Sequence, residues 1–143
     1  MKITTFIALT LLFVSTAVAQ EKPETPKANG KIVFYSMTTL LAASKSADAL
    51  TTVGNLDRGN IEYNPILGLH PSPARLAGFN AGYFAVQSAG FYFTEKSSHR
   101  WIRWAGRAYI GLTIADHAQL AACNANLPPN APKSRRCHSL FPM

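Results

Sequence analysis

The sequence predicts an all-α chain: a small bundle of three hydrophobic helices after an N-terminal signal peptide, with an irregular C-terminal tail. Three observations carry that expectation. Apolar-rich runs at 32–54, 74–93 and 101–123 are each longer than a typical strand, and no stretch of useful length alternates polar and apolar residues. Prolines fall between and beyond these runs, never inside them. Finally, 48% of residues are hydrophobic and only 15% charged, which in 143 residues suits one compact unit with one core and no internal repeat.

The opening MKITTFIALTLLFVSTAVAQ sets one basic residue, Lys2, before an apolar core from Ile7 to Val14 and then Ala17-Val18-Ala19. This is the order of a secretory signal with an A-x-A cleavage site, so residues 1–19 are expected to be removed and Gln20 to begin the mature chain; an uncleaved anchor helix is the alternative. Residues 20–31, QEKPETPKANGK, combine two prolines with alternating charge and no large apolar side chain, which reads as a flexible linker.

The helical domain covers 32–123. In its first helix the apolar stretch from Ile32 to Leu41 gives way to Ser44, Lys45, Ser46 and Asp48, and is shorter than the ~20 residues of a clean membrane span. The connection from Gly54 to Pro73 holds three glycines and three prolines. The second helix, from about Ala74 to Phe93, is nearly long enough to span and carries no charge between Arg75 and Glu95. Its Gly78 and Gly82 form G-x-x-x-G, a face open to close packing against a protein partner or a second copy. The third helix runs from about Trp101 to Cys123, with Trp101 and Trp104 beside Arg100, Arg103 and Arg107 in the manner of an interfacial belt. The tail, 124–143, is rich in Pro and Asn and reads as irregular.

Loss of Lys2 leaves thirteen basic and seven acidic side chains. They are scattered at the ends of apolar runs, which fits membrane-flanking residues and excludes the clustered footprint of a nucleic-acid binder. A bundle of three membrane-spanning helices is the leading expectation and a soluble periplasmic helical protein the alternative. Lys45 and Asp48, three residues apart, can pair and soften the cost of charge in a span. Orientation conflicts: a cleaved signal would put Lys22, Lys27, Lys31, Lys96, Arg100, Arg103 and Arg107 outside against Arg58, Arg75, Lys133, Arg135 and Arg136 inside, the reverse of the positive-inside rule. Cys123 and Cys137 are the only cysteines, and in an exported chain pairing is the default, worth about 3 kcal/mol. A bridge requires the tail to lie outside.

The candidate site is a polar cluster. Ser44, Asp48, Thr51 and Thr52 fall at i, i+4, i+7 and i+8 and make a stripe in which Asp48 accepts from threonine hydroxyls, either as a seam between helices or as a cation or proton site. Glu62 and Asn64 precede Pro65, which holds Asn64 extended, so the turn is suited to capping a neighbouring helix. Asp116 and His117 could relay protons or bind metal, but adjacent helical positions diverge by about 100° and need a third element to share an ion. Asn80 completes the cluster. No metal site and no cofactor are expected: C-x-x-C-H, G-x-S-x-G, H-E-x-x-H and phosphate-loop patterns are all missing.

Asp48-Ala49, Thr51-Thr52, Gly59 and Glu62-Tyr63-Asn64-Pro65 together resemble the D-x-x-T-T, G-x-x-E-x-N-P signature of small multi-helix bacterial membrane proteins classed as a domain family of unknown function. The match covers about 20 residues strongly, and the helix pattern extends it loosely to Asn124. The resemblance implies an integral membrane protein of three or four helices whose carboxylates and Asn-Pro turn come together, and it implies no reaction. The functional expectation is therefore a structural or accessory protein of the bacterial inner membrane. The alternative is a soluble periplasmic binding or interaction module stapled by Cys123 and Cys137. An intramembrane enzyme or ion carrier using Asp48 and Glu62 ranks behind both.

Overall fold

The computed structural model describes residues 28–62, 64, 66–132 and 137–139. The expected signal peptide at 1–19, and the linker up to residue 27, lie outside the described residues. Within them the chain is all-α, a small bundle of three helices with no strand: α1 (Ala28–Asp57), α2 (Pro73–Lys96) and α3 (Arg100–Ala125).

Each helix end has a local cause. α1 begins four residues ahead of Ile32 and runs through Gly54 to stop at Gly59, whose φ of 81° is open to glycine and costly for other residues. The amide of Gly59 donates to Leu56 O at 3.0 Å and that of Asn60 to Asn55 O at 3.0 Å, the paired bonds of a Schellman stop. Ser72 caps α2 by accepting from the Arg75 amide at 3.2 Å, with Pro73 in the first turn, where its missing N–H leaves nothing unpaired. Only Ser97 to His99 separate α2 from α3. Across that corner Arg107 grips the Glu95 carboxylate with two bonds of 2.8 Å, and Arg103 Nη1 donates to Ser97 O at 2.6 Å.

α1 packs most extensively on α3, and α2 meets both less closely. The apolar core lies toward the α2–α3 corner, where Leu41, Phe91 and Ile110 are buried and Val33, Phe34, Met37, Phe84 and Ile114 close around them. Here Gly106 brings α3 against the Thr94 side chain; a Cβ at that position would collide with it. Gly78 and Gly82, expected to serve close packing, meet nothing within 4 Å and face outward. Among the described helices, the glycine of close approach is Gly106.

The expectation of an inner-membrane protein with transmembrane helices is corrected by the fold. Among the described residues no helix is long and apolar enough to cross a membrane. At 30, 24 and 26 residues the helices have length to spare. Their apolar runs, however, are cut by Lys45 and Asp48 in α1, Asn80 and Gln87 in α2, and Arg103, Arg107, Asp116 and His117 in α3. The membrane topology implied by the family resemblance, and the preference for the inner membrane, lose their support on the same ground.

Two glycines make the packing testable. Gly59→Ala must hold a Cβ at positive φ and against the Asn130 side chain, and is expected to lower unfolding free energy by about 2 kcal/mol in urea titration. Gly82→Ala, in open space on an exposed helical face, is expected to raise it by about 0.5 to 1 kcal/mol.

Candidate functional site

At the end of the bundle away from the apolar core, Lys45 sits 3% exposed on the inner face of α1. Its Nζ lies 2.9 Å from His117 Nε2 and 4.3 Å above the Tyr83 ring, so the ammonium is met from α3 and from α2. Burial pushes the Lys45 amine down from 10.5 to about 8, against the opposing pull of the Asp48 and Asp116 carboxylates. Below that value Lys45 is an ammonium with protons to donate and no lone pair, so His117 Nε2 accepts. The imidazole proton therefore sits on Nδ1, which donates to Asp48 Oδ2 at 2.8 Å. Asn124 Nδ2 closes the chain, 3.3 Å from Asp48 Oδ1 and 3.2 Å from Thr52 Oγ1.

Above this network is a cavity of about 500 Å³ between the three helices, the α1–α2 connection and the tail. The tail is drawn over it by two devices. A disulfide joins Cys123 to Cys137, and Ser139 Oγ donates to Asp116 Oδ2 at 2.7 Å. Closer to α1, Asn60 donates to Pro128 O at 3.1 Å and accepts from the Ala131 amide at 2.7 Å. Arg58 Nη2 donates to Asn124 O at 2.9 Å and also bonds the Asn55 carboxamide. Cys137, His138 and Ser139 thereby form part of the pocket wall.

Of the residues expected from the sequence, Asp48, Thr52, Glu62, Asn64, Asn80, Asp116 and His117 all line this one cavity. Thr51 does not: its hydroxyl turns back to the Ala47 and Asp48 carbonyls of its own helix, 3.0 Å from each. Asp48 is served by an imidazole and a carboxamide rather than by threonine hydroxyls. Lys45 reaches Asp48 through His117 instead of pairing with it along the helix. The Glu62–Asn64 turn makes two local side-chain bonds. Glu62 Oε1 accepts from the Asn64 amide at 2.8 Å and Asn64 Oδ1 from the Ile66 amide at 3.0 Å. Asp116 and His117 diverge as adjacent helical positions must, one to Ser139 and the other to Asp48. Among the described residues no group of three or more His, Cys, Asp or Glu side chains could hold a metal ion.

Sequence reasoning passed over Lys45 as a member of the cluster, and also Tyr83, Gln87, Tyr109 and Asn124. Gln87 Nε2 donates to the Tyr109 hydroxyl at 3.2 Å. The Tyr83 hydroxyl has its pKa raised, first by burial and then by the neighbouring Tyr109 hydroxyl. A signal was present: Asn80, Tyr83 and Gln87 fall at i, i+3 and i+7 of an otherwise apolar helix and so share a face.

No family profile, curated protein or solved structure matches the chain.

The triad has the members of a base and its orienting carboxylate, yet both imidazole nitrogens are engaged inside the protein. His117 has no free nitrogen to offer a substrate, so the geometry suits a clamp between α1 and α3. Unfolded Lys45 keeps its proton up to about 10.5 and folded Lys45 only to about 8, so between those values the unfolded state binds more protons and stability rises with pH. Relative to Lys45→Met, the wild type is expected to gain about 1 to 2 kcal/mol between pH 8 and 10 and nothing between pH 6 and 7. Urea titrations of both proteins across that range check it. Replacing Cys123 and Cys137 together by Ser is expected to cost about 3 kcal/mol; an unchanged unfolding midpoint would show that the tail is held without the bridge.

Proposed function

We propose that the chain acts as an exported, disulfide-stapled helical binding module that holds a small organic ligand between its helices. The observation that carries this is the cavity of about 500 Å³, within the range of ordinary ligand pockets and lined by both aromatic and polar side chains. The ionic groups around it already have partners within the fold: Asp48 on His117, Lys45 on His117 and Tyr83, Asp116 on Ser139. The space is thus available to an uncharged guest without breaking the network. The bridge between Cys123 and Cys137 favours an oxidising compartment, and the periplasm is the one proposed.

A set of uncharged aromatic and aliphatic fragments, screened by ligand-observed NMR against the wild type and Ala49→Phe, tests the proposal. Ala49 lines the cavity, so a phenyl group there fills it. Fragments are expected to bind the wild type with dissociation constants of roughly 0.1 to 1 mM and the variant at least about tenfold more weakly. Failure of every fragment, or equal binding to both proteins, would contradict it.

A further inference from the structure

Gln87 lines the cavity on α2, one turn beyond Tyr83, and is 5% exposed. Its Nε2 donates to the Tyr109 hydroxyl, and Oε1 is the other end of the same amide. That oxygen is buried with no hydrogen-bond partner. A carbonyl withdrawn from water and left without a donor is unfavourable, and native interiors rarely keep one unless something else supplies the proton. The neighbouring walls are aromatic: Phe79 and Tyr83 stack with centroids 6.1 Å apart and planes 12° from parallel, and Tyr109 lies opposite on α3. Flat rings pack well against such a surface.

We infer that the ligand is an uncharged aromatic molecule bearing a hydroxyl or N–H, and that this group donates to Gln87 Oε1. The inference rests on the pocket being a ligand site and adds the class of ligand and the residue that orients it. An uncharged molecule leaves intact the contacts that Asp48 and Lys45 make with His117 and that Asp116 makes with Ser139. A ring with no donor gains the stacking surface but leaves Oε1 unmet. A site built around a hydrogen bond rejects an analogue that cannot make it more strongly than a purely apolar site distinguishes shapes. Gln87 is thus a specificity residue for the proposed ligand.

Phenol and anisole separate these cases. They share a ring, but only phenol donates a hydrogen bond, and anisole is the more easily removed from water, so any preference for phenol must come from the site. Calorimetric titration of the full chain is expected to show phenol bound at least about tenfold more tightly than anisole. In Gln87→Met, which keeps the side chain's length and removes the amide, the preference is expected to vanish while anisole changes by less than about twofold. Equal or tighter binding of anisole to the wild type would overturn the inference, leave Oε1 to a water molecule and spare the pocket itself. Failure of both rings to bind would sink the ligand site and the inference together. The wild-type comparison holds whether or not the variant folds.

Discussion

A lysine 3% exposed inside a helical bundle must have its ammonium met where it lies, and Lys45 is met from the other two helices. His117 of α3 accepts a hydrogen bond from it, Tyr83 of α2 presents a ring face beneath it, and Asp48, one turn along α1, holds the imidazole from the far side. Desolvating the ammonium is unfavourable, which is why the amine titrates near 8, and each partner that offsets this fixes one helix relative to the others. The register of α1 on α3 follows from this contact, and α1 and α3 are the pair that pack most extensively.

Polarity is segregated along the bundle as a result. Around Leu41, Phe91 and Ile110 the three helices close on apolar side chains. Beyond Lys45 the facing positions are Asp48, Thr52, Asn80, Tyr83, Asp116 and Asn124; Asn124 ties Asp48 to Thr52 at the edge, and a cavity is left between the helices. Closure of that end falls to the chain outside the helices: Arg58 and Asn60 at the α1 stop bind the tail backbone, and the Cys123–Cys137 bridge brings Ser139 onto Asp116. Gly59 belongs to both functions, since the positive φ that ends α1 also turns Asn60 toward the tail.

Much of the helical frame was legible, because apolar runs separated by prolines admit few other structures. So were the cluster members whose chemistry is conspicuous in an apolar chain, Asp48, Glu62, Asp116 and His117. What eluded the sequence depends on contacts distant along the chain. Lys45 has a carboxylate three residues away, which made a local ion pair the natural expectation, whereas its partner is 72 residues on. Tyr83, Tyr109 and Gln87 each look like ordinary members of greasy helices until α2 and α3 face each other. Composition alone points to membrane spans, because each helix has enough residues to cross; of the polar residues that interrupt them, Lys45, Asp48 and His117 gather in one network while Arg103 and Arg107 hold the α2–α3 corner.

The role of that network as the clamp between α1 and α3 is tested most directly by a double-mutant cycle on Asp48 and His117. Unfolding free energies of Asp48→Ala, His117→Ala and the double variant are expected to show a coupling of about 1 to 3 kcal/mol, because either truncation alone strands the other's partly buried hydrogen-bonding group. Additivity to within about 0.5 kcal/mol would contradict a clamp and return the two residues to independent roles.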